Sequence, residues 1–340
     1  MSIKMKLTRK LLVARKEIIE KRKNKLQPTS IYDILDVNNI ARDTLQALKT
    51  IAAKELIVTT ETIANVPCTR FQPNWDLKYF SNTPKHPEIL MIYIHGGGFV
   101  GGFIEQGTYF IKAIERRIGC NTIAINYSLS PEVVFPYAIN QIVNVYSEII
   151  KNHKPNKIIV AGESAGGNLC LSLLLKIKEL GLPMPKMGIV ASGYLDLTNQ
   201  TESFVANEKT DVSLSGNQLT LMAKAYINGE DHKSPNTTEA FKNPLVSPVY
   251  GDYSGLPPIF FSVCRDELLY SDTVKAVEIC KQCKVKHKLY TAEKCFHAHL
   301  IMGDFFAESK IATNELAEYI QNIFKLKEIY LHINKGSIKK

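Results

Sequence analysis

The chain has 340 residues, enough to bury the core of one large α/β domain plus an accessory element without help from disulfides or metals. Its formal charge of +9 sits at the ends: residues 1–25 hold ten Lys/Arg and two Glu, and residues 324–340 hold five Lys and one Glu, which leaves a slightly acidic body. That distribution excludes a basic nucleic-acid platform, and no apolar run approaches the roughly 18 residues needed to span a bilayer.

The seven cysteines (Cys68, Cys120, Cys170, Cys264, Cys280, Cys283, Cys295) are odd in number and lie mostly inside apolar runs. This usage points to a reducing compartment. The basic start is not followed by the apolar stretch and small-residue cleavage site of a secretory signal, so cytoplasmic residence is expected, with leaderless secretion as the alternative.

Taken in chain order, residues 1–50 read as helices. From about Leu56 the pattern alternates between short β-rich runs and longer amphipathic stretches, which predicts a mostly parallel sheet with helices on both faces. The predicted strands are Leu90–Ile94, Thr122–Tyr127, Lys157–Ala161, Gly188–Ala191, Ile259–Cys264 and Lys286–Tyr290. The predicted helices are Gly107–Arg117, Ala138–Asn152, Ser164–Leu180, Ser271–Cys283 and Ala307–Phe324. A polar insertion near residues 198–240 interrupts the alternation. Elements placed outside a sheet core in this way form lids over substrate pockets.

Gly162-Glu163-Ser164-Ala165-Gly166 joins a predicted strand directly to a predicted helix. Small residues two positions either side of a serine suit a sharp strand-to-helix turn that leaves the hydroxyl standing clear, which makes Ser164 the candidate nucleophile. His95-Gly96-Gly97-Gly98 closes an earlier strand. Closely spaced glycines let backbone N–H groups converge on a developing oxyanion, and the candidate donors are Gly97, Gly98 and Ala165. A glycine run of this kind also serves as a phosphate cradle, but the Lys-Ser/Thr of a P-loop is missing.

A serine needs a base to take its proton, and the base needs an acid to orient it. His297 and His299 share the loop between the last predicted strand and the last predicted helix. His95 is read as ordering the glycine loop. Asp266, in the turn after Ile259–Cys264, lies between the serine and the histidine in chain order, as the acid of such a triad should. Glu267 and Asp272 compete with it locally, and Asp196 more remotely. Cys280-x-x-Cys283 lies within a predicted helix and has no second pair at zinc-site spacing, so no metal role is assigned to it.

With these motifs in place, residues from about Pro87 to Phe306 resemble the hormone-sensitive-lipase-like family of carboxylesterases, which also takes in arylacetamide-deacetylase-like enzymes. His95–Gly98, Tyr127–Glu132, Gly162–Gly167, Leu256-Pro257-Pro258 and Phe296–His299 follow the order and spacing of that family's motifs. The resemblance implies an α/β-hydrolase fold in residues 51–330, with a helical cap built from the N-terminal segment 1–50 and the insertion near 198–240. Residues 331–340 are then a basic tail.

It further implies His297 rather than His299 as base, no metal and no cofactor, and hydrolysis of short to medium acyl esters through an acyl-enzyme by Ser164, Asp266 and His297. An amidase or deacetylase with the same triad, or a non-catalytic small-molecule receptor, are the alternatives. Ser128, Asn140 and His299 depart from the family pattern. The partner expected is therefore a small ester. Ile3, Leu7, Leu11 and Ile18, at helical spacing among basic residues, are read as a cap helix, with peripheral contact at an anionic membrane surface as the alternative. Oligomeric state is not written in the sequence.

Overall fold

A computed structural model describes residues 1–23, 54–230 and 238–326. The second half of the predicted N-terminal helical segment and the basic C-terminal tail lie outside these residues. Eight strands form one sheet: β1 (Leu56–Ile63), β2 (Val66–Pro73), β3 (Leu90–Ile94), β4 (Asn121–Ile125), β5 (Ile158–Glu163), β6 (Met187–Ala191), β7 (Ile259–Cys264) and β8 (His287–Ala292). Their spatial order is β1-β2-β4-β3-β5-β6-β7-β8. All pairings from β4 to β8 are parallel, while β1–β2 and β2–β4 are antiparallel.

The six predicted strands are all present. The β1–β2 hairpin is an addition to them, closed by a two-residue turn in which Ala64 and Asn65 both take positive φ, 49° and 64°. Such a turn matches the right-handed twist of the flanking strands.

Nine helices complete the described residues: α1 (Ile3–Lys23), α2 (Thr108–Ile118), α3 (Tyr137–Asn152), α4 (Ala165–Glu179), α5 (Glu202–Ala206), α6 (Gly216–Asn228), α7 (Thr238–Phe241), α8 (Tyr270–Gln282) and α9 (Ala307–Phe324). Strand β3 shows why helices cover both faces. All five of its residues are buried, and alternation along the strand sends them in opposite directions. Leu90, Ile92 and Ile94 pack with residues of α3, α4 and α8, such as Ile142, Leu171 and Ala276. Met91 and Tyr93 pack with Phe110, Ile111 and Ile114 of α2 and Ala312, Leu316 and Ile320 of α9. The helical periodicity of those apolar residues is what docks α2 and α9 on one face. The insertion supplies α5, α6 and α7, lying between β6 and β7 in the chain.

Candidate active site

In a doubly wound sheet, loops beyond the carboxyl ends of parallel strands converge on one rim. Here the rim gathers Ser164 after β5, Ser192 after β6, Glu267 after β7 and His297 after β8.

Ser164 has φ 54° and ψ −121°, a conformation that L residues rarely adopt. Strain of this type costs about 1–3 kcal/mol and persists only where the surroundings fix it. Three backbone bonds do so: Ser164 N–H donates to Ala191 O at 2.9 Å, and its carbonyl accepts from Asn168 N–H at 3.1 Å and Tyr194 N–H at 3.0 Å. The flanking glycines are there for space. A Cβ on Gly166 would stand 2.1 Å from Ile94 O, so only glycine lets the start of α4 approach β3. Ala165 opens α4, and the first N–H groups of a helix have no acceptor within it.

The glycine loop after β3 runs alongside this turn, close enough that a Cβ on Gly96 would lie 3.0 Å from Ser164 Cβ. Gly97 and Gly98 have φ of 118° and 63°, backbone that a side chain would strain. Two buried groups hold the loop. His95 Nδ1–H donates to Gly96 O at 2.8 Å, its ring stacks 4.4 Å from Tyr127, and the Tyr127 hydroxyl donates to His95 O at 2.8 Å. Burial pushes His95 down to about 4, against the opposing pull of the Gly96 carbonyl, so it sits neutral in the ordering role expected of it. Glu163 Oε1 accepts from Gly96 N–H at 2.7 Å and from Gln106 Nε2 at 2.6 Å. Burial raises this carboxyl, and those donors oppose the rise.

Asp266, the acid expected from sequence, is not the carboxylate that stands at the histidine. Glu267, not Asp266, meets the histidine: its Oε2 lies 2.7 Å from His297 Nδ1. Its Oε1 accepts from Ser192 Oγ–H at 2.8 Å and Cys264 N–H at 2.8 Å. Asp266 turns outward, where its Oδ2 pairs with Arg9 Nη1 at 3.3 Å. The physical reason is the donor set. Three donors inside the rim satisfy one carboxylate there, and a guanidinium outside satisfies the other.

Burial raises the Glu267 carboxyl while the His297 charge opposes it. For His297 burial acts to lower the value, but the Glu267 carboxylate outweighs it and leaves the imidazole above its usual range. His297 Nε2 is buried and makes no hydrogen bond to the described residues. His299, the rival, is fully buried in the core beside Tyr290, with burial holding it at about 4. Among the described residues neither of its ring nitrogens has a hydrogen-bond partner.

Ser192 is a site residue that the sequence reading missed. Besides donating to Glu267, its Oγ accepts Ala298 N–H at 3.1 Å, so one hydroxyl ties the acid to the loop of the base. Glu163 and Ala191 are register partners on β5 and β6, so Ser164 and Ser192 each follow the end of neighbouring strands. Its signal was available in Ala191-Ser192-Gly193, a small-residue turn at the end of a buried parallel strand.

The insertion holds both loops from above. Asn207 Nδ2 donates to Arg265 O and Glu267 O, both at 2.8 Å, and Leu268 N–H donates to Asp211 Oδ2 at 2.9 Å. His297 N–H donates to Ser213 Oγ at 3.3 Å. From α6, Met222 reaches over the glycine loop: a Cβ on Gly98 would stand 2.2 Å from its sulfur.

Asp272 is fully engaged elsewhere, accepting from Leu195 and Asp196 N–H at 3.0 Å each, and Asp196 pairs with Lys275 at 3.1 Å. Both competing aspartates are thereby used structurally. Cys280 and Cys283 are free thiols at the end of α8.

A family model described as alpha/beta hydrolase fold matches residues 91–301. An esterase of Acinetobacter venetianus is 34% identical over 237 residues, 69% of this chain and 75% of that protein. The hormone-sensitive lipase of Ictidomys tridecemlineatus is 29% identical over 155 residues, 44% of this chain and 20% of that one. Among solved structures, a hormone-sensitive lipase from a metagenome library is 26% identical, with a TM-score of 0.75 over 94% of this chain and 98% of that chain.

Proposed function

We propose, for a chain that belongs to the hormone-sensitive-lipase-like α/β hydrolases and is a serine hydrolase of carboxylic esters, that the working triad is Ser164, His297 and Glu267. The observation that carries this reading is the 2.7 Å contact between Glu267 Oε2 and His297 Nδ1 on the rim that also holds Ser164. With Nδ1–H directed at a carboxylate, the imidazole is fixed in the tautomer that leaves Nε2 as base.

The Ser164 hydroxyl attacks the ester carbonyl as its proton passes to His297 Nε2. The carbonyl oxygen becomes an oxyanion, held by the N–H groups of Gly97, Gly98 and Ala165, each worth about 2.7–4 kcal/mol in the transition state. Collapse expels the alcohol with the proton from His297, leaving an acyl-serine. Water, deprotonated by His297, then attacks that acyl group, and the carboxylic acid leaves as Ser164 regains its proton. The substrates are short to medium acyl esters. This range is the one the family resemblance implies, and Met222 stands over the glycine loop that would bind the carbonyl oxygen.

Replacing Ser164 with Ala should abolish p-nitrophenyl butyrate turnover and fluorophosphonate labelling together. Labelling at another serine with turnover retained would end the reading.

The insertion and α1 together form the cap in this reading, supported by Lys16 Nζ of α1, which donates to Glu208 O, Asp211 O and Leu214 O at 2.6–3.1 Å. The outer face of α1 favours peripheral contact with an anionic membrane. Ile3, Leu7 and Leu11 are 85%, 61% and 65% exposed in one stripe beside exposed Lys6 and Lys10, the apolar and cationic combination of an interfacial helix. Vesicles containing phosphatidylglycerol should co-sediment the wild type and not the double variant Leu7→Asp, Leu11→Asp. Equal sedimentation of both proteins would remove the membrane from the account. Among the described residues no helix is long and apolar enough to cross a bilayer. The seven free thiols support residence in a reducing compartment such as the cytoplasm.

A further inference from the structure

We infer that Arg9 of α1 is a positioning residue for the Glu267–His297 pair, so that the N-terminal helix is a working part of the active site; this rests on the triad proposed above. The guanidinium sits where the acid loop and the base loop meet. Its Nη1 pairs with Asp266 Oδ2 at 3.3 Å, on the residue immediately before the acid, and the same nitrogen donates to the carbonyl of Cys295, two residues before the base.

Neither contact is a loose surface pair, because the Arg9 and Asp266 side chains are only 19% and 28% exposed. A single planar group with fixed donors can hold two acceptors in one relative position, which a flexible ammonium does less well.

The rest of α1 is built to hold Arg9 there. Met5, one turn earlier, is fully buried in a cluster with Cys264, Cys295 and Phe306. Cys264 and Cys295 are the residues that lead into the two loops, and Cys295 N–H donates to Cys264 Sγ at 3.3 Å. The N-terminal end docks elsewhere: Ser2, just before α1, donates its Oγ–H to Glu308 at 2.8 Å, and Lys4 Nζ donates to Phe305 O at 3.1 Å. Met5 and Arg9 thus bear on the two loops from behind, while the insertion bears on them from above. A general base and its acid must keep their geometry to within a fraction of an ångström through the reaction, and a displacement of about 1 Å costs on the order of a hundredfold in rate.

The test compares Arg9→Ala, Arg9→Lys and Lys4→Ala with wild type, each in the full chain and normalised to active sites titrated with a fluorophosphonate. Arg9→Ala should lower kcat per titrated site by about tenfold with KM within about twofold. It should also move the acid limb of kcat/KM to lower pH, because a loosened Glu267 contact holds the His297 imidazole up less strongly, while Asp211 and Glu163, which also raise it, are left in place. Arg9→Lys should restore part of kcat, and Lys4→Ala, which weakens docking of α1 away from the loops, should match wild type in both readouts.

A merely structural role predicts a lower melting temperature and fewer titratable sites, with unchanged kcat per site and an unchanged acid limb. That result would overturn the inference. Its failure is distinct from failure of the triad, which Glu267→Gln reports independently of Arg9.

Discussion

Glu267 and Asp266 are adjacent in the chain and point opposite ways: one carboxylate lies 2.7 Å from His297 Nδ1 and the other 3.3 Å from Arg9 Nη1. The turn between β7 and α8 therefore presents an acid to each side. Only the inner one is buried, with three hydrogen-bond donors around it.

Since the Glu267 charge holds His297 above 6.5, and the base acts only when neutral, the acid limb of kcat/KM should fall at a pH above about 6.5. In Glu267→Gln the charge that raised the imidazole is gone while burial still lowers it, so the residual activity should have its limb at lower pH. A pH–rate profile of both proteins reads this directly, and limbs that coincide would contradict it.

Ser192→Ala removes the donor to Glu267 Oε1 and the acceptor for Ala298 N–H. A buried hydrogen bond to a charged group is worth about 1.5–3 kcal/mol. The expected result is a fall of about ten- to a hundredfold in kcat, with a smaller change in KM. Unaltered kcat in a folded variant would show that the hydroxyl does not support the acid.

His299 carries a stability cost in acid. Its folded value is about 4 against 6.5 when unfolded. Between those values the unfolded chain binds a proton that the folded chain does not, so stability present near neutral pH is lost as pH falls through that window. His299→Phe should make denaturant midpoints at pH 5 and pH 7 more alike than in wild type. An unchanged pH dependence would exclude His299 as the source.

Glu115 of α2 is fully buried, and among the described residues no cation pairs with its carboxyl. Burial raises it well above the usual carboxylate range, opposed only by Thr122. The folded state therefore keeps the proton where the unfolded state has released it, and stability falls as pH rises above about 4.5 toward the raised folded value. Glu115→Gln should increase the thermal midpoint at pH 8 more than at pH 5, measured by calorimetry.

Much of this was legible in sequence because the informative signals are local. The turn around Ser164 is written in its glycines and in the switch from a strand run to a helix run, and the buried parallel strands read as continuous apolar stretches. The β1–β2 hairpin was harder to see, because Leu56–Ile63 is largely exposed along an edge and shows little alternation. Which carboxylate meets His297 was hidden for a different reason. Chain order and the turn after β7 fit residues 266 and 267 equally, and the choice is made by Ser192 and Arg9, which reach the turn from distant parts of the chain. Likewise His297 and His299 share one loop, and only packing shows that His299 faces the core.

The central claim is that Glu267, and not its neighbour, orients the base. It is tested most directly by kcat for p-nitrophenyl butyrate in Glu267→Gln and Asp266→Asn, each normalised to folded protein. Loss of an orienting carboxylate should cost Glu267→Gln about a thousandfold or more. Asp266→Asn retains an oxygen that can accept from Arg9 and should lose less than about threefold. The reverse order, with Asp266→Asn inactive and Glu267→Gln near wild type, would contradict the account.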